Sequence, residues 1–382
     1  MRKILFAILL LFPLPLAAQP LPGAARTELY FPLLKGDRIA LLSNQSGMVG
    51  DRHTLDIMLE GGLNVVRIYS PEPGFRGTAD AGEQVAGGRD ARTGIPIVSL
   101  YSSSSKVDLN GIDAVVVDIQ DVGCRFYTYY ITMLRLMRCA LPLRTRFFVL
   151  DRPNPNGMYV DGPLLDMKYK SGVGGLPIPV VHGMTLGELA RMADGMKWIS
   201  PGGGSFGERL VVIPCLGYTH STRYHLPVPP SPNLPDMKSI YLYPSLCYFE
   251  ATPVSVGRGT DMPFKVYGHP SFRSDFSFIP QSRQGAKTPP HRGERCYGRK
   301  LSDIPDEQII AAGINLEYLV AAYREYGEKD KFFTPFFERL IGNDKVRKMI
   351  QEGKSAEQIK ASWAAEVEAF RNLRKPYLIY PE

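Results

Sequence analysis

Five cysteines in 382 residues, at 124, 139, 215, 247 and 296, leave this chain without a CxxC pair or a Cys/His cluster at zinc spacing. A cysteine-built metal site is excluded, and the thiols are expected to be mostly small buried packing residues, with one disulfide at most. No GxGxxG follows the first strand-like run and GxxxxGK[ST] occurs nowhere, so a dinucleotide fingerprint and a phosphate loop are both missing. HExxH is absent and no GxSxG stands at a strand-to-helix turn, which removes the usual signatures of zinc proteases and serine hydrolases. Lysine and arginine are scattered rather than massed into an arm with interleaved aromatics, so a nucleic-acid partner has no footprint. No segment repeats.

What is present is an ordinary globular composition, 44% apolar and 22% charged, in a chain long enough for two packed domains. The N-terminus, MRKILFAILLLFPLPLAAQ, carries a basic pair, an apolar core and the small residues Ala17 and Ala18. It is too short for a membrane span and holds two prolines, and it reads as a secretory signal peptide over residues 1–18. The expected location is secreted, periplasmic or extracellular, with no stable membrane span after cleavage. Removal of Arg2 and Lys3 lowers the formal charge from +7 to about +5, a mild excess that suits an anionic polymer such as cell wall.

Short β-branched runs at 38–42, 65–69, 95–100, 114–117, 146–150 and 210–213 alternate with helical patterns at 54–60, 129–139 and from Thr185 toward Asp194. The last of these opens on a T-x-x-E capping box, Thr185 to Glu188. Such alternation predicts an α/β fold: a Rossmann-like, largely parallel sheet with helices on both faces. The proline cluster at 227–232 marks a composition break, placing an N-terminal domain over 19–230 and a smaller C-terminal α+β domain over 231–382. Helices are expected at 306–326 and 356–372.

In an open parallel sheet, ligands bind at the carboxyl ends of the strands. SNQSG (43–47), SPEPGFRG (70–77), DIQDVGCR (118–125) and DRPNPNG (151–157) each follow a strand-like run. Together they bring amides, carboxylates and arginines to one rim: Asn44, Glu72, Arg76, Gln120, Asp121, Arg125, Asp151 and Arg152. Taken singly, each also suits a tight turn. Asp118 lies close enough to its strand to cap a helix or pair with Arg125, and Glu188 is explained by its capping box. Among the histidines, His182 alone sits at a strand-like end just before a capped helix. Carboxylates, amides, aromatics and arginines suit a carbohydrate site, with a carboxyl pair for glycosidic cleavage.

Seven segments, in order between about residues 40 and 270, carry a closer likeness: LLSNQSG, SPEPGFRG with a following AGE, DIQDVGCRFYTY, LDRPNPNG, HGMTLGELA, PPSPNLP and FEATPVSVGRGT. They resemble the recurrent motifs of the DUF1343 family, associated with exo-acting β-N-acetylmuramidases of peptidoglycan recycling. The resemblance implies a Rossmann-like domain joined to a smaller one across a cleft. It also implies release of N-acetylmuramic acid (MurNAc) from the non-reducing end of glycan fragments such as MurNAc-GlcNAc, with no cofactor and no metal.

Carried over by motif, Glu72 is the counterpart of the glutamate in the family's PEHG and the candidate general acid. Burial between Pro71, Pro73 and Phe75 would favour its protonated form. Glu250, from the second domain, or Asp121 is the candidate for the second catalytic role, with Asp118 or the substrate's own acetamido group as alternatives. Arg76, Arg125, Arg152 and Arg258 are candidates for the lactyl carboxylate, since a guanidinium matches a carboxylate bidentately. Asn44, Gln120, Tyr127, Asp151 and His182 complete the expected substrate contacts. Three positions depart from the family pattern: Pro73 replaces histidine, and Ala251 and Pro253 replace glycine and asparagine. Proline offers neither a side-chain donor nor a backbone N–H, so a second reading stands beside the first: a secreted glycan-binding protein of the same fold, impaired in catalysis.

Overall fold

The computed structural model describes residues 19–71, 75–76, 88–102, 104–200 and 202–382. The expected signal peptide at 1–18 and the candidate acid Glu72 lie outside the described residues, as does the whole AGE triplet.

The strands are β1 (Arg38–Ser43), β2 (Met48–Val49), β3 (Arg52–His53), β4 (Asn64–Ser70), β5 (Ile97–Ser99), β6 (Ala114–Asp118), β7 (Arg146–Leu150) and β8 (Leu210–Ile213). Apart from the β2–β3 ribbon they form one sheet, ordered β5-β4-β1-β6-β7-β8, with every pairing parallel. With the ribbon set aside, the strands read 3-2-1-4-5-6 across the sheet, the order of a Rossmann fold. Its topological switch lies between β1 and β6, where Ser43 stands opposite Asp118.

The period-2 geometry of a strand, offset by one residue where the β1–β4 register skips Val66, explains the two helical layers. Ile39, Leu41, Val65 and Ile68 face α1 (Thr27–Leu34) and α2 (Thr54–Glu60) in one core. Ala40, Leu42, Val115 and Val117 face α3 (Tyr129–Ala140) and α4 (Leu186–Gly195) in the other. The capping box at Thr185 and Glu188 is present as expected.

The rest of the chain forms α5 (Met237–Leu246), an antiparallel sheet of β9 (Val266–His269), β10 (Ser277–Phe278) and β11 (Cys296–Lys300), and a helical tail. The expected helix at 306–326 is two helices, α6 (Asp306–Ala312) and α7 (Glu317–Glu325). Gly313, at φ 61°, breaks it, and Asp161 accepts from the Ile314 amide at 2.9 Å. Helices α8 (Phe337–Ile341) and α9 (Lys345–Gln351) follow. The expected helix at 356–372 is likewise two, α10 (Ala356–Ala361) and α11 (Ala364–Arg374).

Both parts share one contiguous apolar core, running from Ala40 to Phe370. The C-terminal residues return to the first domain: Glu188 accepts from the Ile379 amide at 2.8 Å, and Tyr380 donates to Asp151 at 2.7 Å. All five cysteines are free.

Candidate active site

Asn44 leaves β1 at the switch point. Its carboxamide oxygen accepts from the Ser46 amide and hydroxyl, and its Nδ2 donates to Tyr129 Oη at 2.9 Å. Tyr127, Tyr129 and Gln45 all donate to one acceptor, the Pro230 carbonyl, at 2.9, 3.1 and 3.1 Å. The strand end is thereby fastened to the proline cluster that leads into the second domain. Tyr127 is a buried support of this knot rather than an open stacking platform.

From Tyr127 an aromatic series crosses to the second domain, through Tyr243 at 6.2 Å and then Phe264 at 4.9 Å between ring centroids. The Arg258 guanidinium lies over the Phe264 ring at 5.1 Å. Its Nε donates to Glu250 at 2.5 Å, while among the described residues its two Nη groups have no hydrogen-bond partner. Glu250 also accepts a long contact from Cys247 Sγ at 3.6 Å. This wall therefore presents a partly exposed carboxylate beside a cation whose Nη donors have no partner among the described residues.

The other arginines are spoken for. Arg76 bonds Asp56 and Asp90 with all three of its nitrogens, at 2.7–3.1 Å. Arg125 is fully buried and donates to the carbonyls of Pro163, Ile178, Leu340 and Ile341, stitching the two domains together. Burial without a carboxylate partner pushes its guanidinium down to about 10. Arg152 pairs with Asp118 through Nε at 2.6 Å and Nη2 at 2.9 Å, both side chains buried, which corrects the expected pairing of Asp118 with Arg125. For Arg76 and Arg125 the expectation of a lactyl-carboxylate contact is corrected, since protein acceptors engage every nitrogen of the first and four carbonyls bury the second; Arg152 commits Nε and Nη2 to Asp118 and the Met48 carbonyl, while its Nη1 has no hydrogen-bond partner among the described residues.

Three further candidates are held by contacts within the protein. Asp151 accepts from the Gly187 amide, the Thr185 hydroxyl and Tyr380, so it caps α4 and anchors the chain terminus; burial pushes it up to about 6. His182 is buried, its Nδ1 accepts from the Met184 amide, and burial with nearby Arg374 pushes it down to about 3. The neutral ring is shut inside the protein. Gln120 donates to the carbonyls of Asp121 and Pro153, bridging two of the strand-end loops.

Asp121, like Gln120 at Oε1 and His182 at Nε2, leaves a buried polar atom without a hydrogen-bond partner among the described residues. Its Oδ1 accepts from the Gly123 amide at 2.7 Å, while Oδ2 is buried with no hydrogen-bond partner among the described residues, and burial pushes the carboxyl up to about 7. Gly123 holds φ 76°, and a Cβ there would lie 2.1 Å from Asn154 Oδ1, so only glycine lets these loops touch.

Sequence reasoning passed over His53. Its Nδ1 accepts from the Leu55 amide, so Nε2 carries the proton and donates to the Asn44 carbonyl at 2.9 Å. Burial lowers its basicity, and Phe75 packs edge-on against it with ring centroids 4.8 Å apart. Phe75 and Arg76 thus anchor one side of the segment holding Glu72, and Ser70 at the end of β4 anchors the other. No sequence signal joins His53 to Asn44, since the contact is made only when the β2–β3 ribbon folds back.

Among the described residues no group of three or more His, Cys, Asp or Glu is placed to hold a metal, and no helix is long and apolar enough to cross a membrane.

Fold and site together define a two-domain α/β protein whose polar rim stands at the switch point of the sheet and is joined through Tyr127, Tyr243 and Phe264 to a carboxylate–arginine pair of the second domain. The models of the exo-β-N-acetylmuramidase NamZ N-terminal and C-terminal domains match residues 39–238 and 241–380. The peptidoglycan β-N-acetylmuramidase NamZ of Bacillus subtilis (strain 168) is 35% identical over 370 residues, 91% of this chain and 88% of the relative. A DUF1343 family protein from Bacteroides fragilis NCTC 9343 has a crystal structure of TM-score 0.89 at 55% identity, covering 96% of this chain and all of that one. A second from the same organism gives 0.76 at 27% identity, covering 95% of this chain and 99% of that one. The chain belongs to the NamZ exo-β-N-acetylmuramidase family.

Proposed function

We propose that this chain is a secreted exo-β-N-acetylmuramidase that releases MurNAc from the non-reducing end of peptidoglycan fragments such as MurNAc-GlcNAc. Family membership supports the reaction class. The observation that carries the reading is the Glu250–Arg258 pair, a carboxylate beside a guanidinium whose Nη groups are free to hold the lactyl carboxylate of a muramyl ring.

In this reading Glu72 donates its proton to the glycosidic oxygen as the C1–O bond breaks. Water adds at C1, and Glu250 stabilises the positive charge developing there and takes up the water's proton. Asn44 and His53 hold the rim rigid, and Arg76 fixes the segment that delivers the acid.

The test is incubation of the mature protein with MurNAc-GlcNAc, with free MurNAc as the expected product. Glu72→Gln is expected to slow release by about 10²–10⁴-fold; a loss of only a few-fold refutes the acid assignment. The departure at Pro73 favours the second reading, glycan binding without turnover. Binding with no release in the native chain, together with release in Pro73→His, would establish it.

A further inference from the structure

A cavity of about 600 Å³ opens where the loop at 168–170 faces α8 and α9, lined by none of the catalytic or substrate-binding candidates. Its charges divide into committed and free. Lys168 pairs with Asp166, Arg347 with Glu338, and Asp344 with Lys348. Lys170, Arg339 and Asp330 are exposed, and among the described residues their side chains make no hydrogen bond or ion pair. The same walls carry Tyr169 and Phe333, both half-buried, and Phe333 is held by stacking on Tyr323 at 5.5 Å.

This chemistry is selective. The half-buried rings supply apolar surface for a pyranose, that of Tyr169 beside the Lys168 ammonium that lies over it at 4.9 Å, and Asp330 accepts from a hydroxyl or an acetamido N–H. Lys170 and Arg339 call for anionic oxygen, and a neutral ligand would leave both unanswered. Asp330, the lining acid left unpaired among the described residues, sets a like charge against the dense phosphates of a nucleic acid. The volume is that of an ordinary small-molecule site.

We propose that this cavity is a secondary binding site for a carboxylate-bearing oligosaccharide. For the identity of the polymer the proposal rests on the glycosidase reading: a peptidoglycan strand stripped of its peptide stems bears a free lactyl carboxylate on every muramyl ring. The cavity wall is bonded to the catalytic wall, because Thr334 donates its amide and hydroxyl to the Ala251 carbonyl, at 2.9 and 3.1 Å. Ala251 follows Glu250 directly, so a strand held here stays next to the segment that works on its end.

The test uses the full mature chain carrying Glu72→Gln, so that ligand survives, with and without Lys170→Ala and Arg339→Ala together. Titration is with MurNAc-GlcNAc oligomers of several repeats and with a chitin oligomer of equal length as neutral control. The double change is expected to weaken muramyl-oligomer binding at least about tenfold and to flatten its salt dependence. In the otherwise native enzyme, the double change should leave disaccharide hydrolysis unaltered. Unchanged oligomer binding, or equal affinity for the chitin oligomer, overturns the proposal. Should the native protein release no MurNAc while the double variant still loses oligomer binding, the glycosidase reading fails and the site stands. Tyr169→Ala is a second variant, expected to weaken both oligomers alike through the lost ring face.

Discussion

Arg76 grips Asp90 with two nitrogens, Nε at 2.7 Å from Oδ1 and Nη2 at 3.0 Å from Oδ2, and holds Asp56 with the same guanidinium. Both carboxylates are buried, so the contact closes the far end of the segment that begins at Ser70 and contains Glu72. Arg76→Ala is expected to cost about 2 kcal/mol in chemical denaturation. That is below the 3–5 of a fully buried pair, because Arg76 is partly exposed and Arg92 still reaches Asp56. A variant of native stability with a raised KM would show instead that Arg76 is a substrate ligand.

The same pair fixes an acid-limb prediction. The Arg76 hydrogen bonds hold Asp90 below the usual carboxylate range. A depressed carboxyl stabilises the fold above its unfolded value, about 3.9, and that stability is lost as the pH falls through the folded value. Denaturation midpoints of the native chain should therefore drop below about pH 4, and Arg76→Ala should show a smaller drop.

Asp121 runs in the opposite direction. Burial pushes it up to about 7, so the folded state keeps a proton that the unfolded chain gives up near 3.9. Its contribution is full below about pH 4 and is lost as the pH rises through 7. Asp121→Asn keeps the oxygen that accepts from Gly123 and removes the titration. The stability profile between pH 4 and 7 should then flatten, by an amount on the order of a few kcal/mol. An unchanged slope would mean that another group titrates there.

Tyr129→Phe deletes the hydroxyl that donates to Pro230 and accepts from Asn44. It strands a buried amide and should lower stability by about 1–3 kcal/mol. Because the Asn44 loop loosens, turnover of MurNAc-GlcNAc should fall as well, whereas a purely local packing role would leave kcat untouched.

Arg258→Ala addresses specificity. If the Nη groups read the lactyl carboxylate, the preference for a muramyl over an N-acetylglucosaminyl ring should fall about 10–100-fold, the equivalent of one charged hydrogen bond. Competition between the two disaccharides measures it directly.

Much of this was legible beforehand, for identifiable reasons. Parallel strands buried on both faces read as unbroken β-branched runs, and six were found within a few residues of their observed bounds. The strand-end rim followed from the general rule for open sheets. The second domain was less legible: α5 lies in a tyrosine-rich run with Pro244 inside it, and the breaks after α6 and α10 depend on partners such as Asp161 that are remote in the chain.

GFRG at 74–77 and GRGT at 257–260 pose the remaining question, since each sets an arginine among glycines after a glutamate. The sequence by itself determined that both arginines would stand in glycine-flanked turns, because glycine spacing is a local property. Only the tertiary structure decided their work. Asp56 and Asp90 close around one guanidinium, while Phe264 lies under the other, whose outer nitrogens meet no partner among the described residues. Which partners a charge meets is a property of packing between segments far apart in the chain, and local sequence does not carry it.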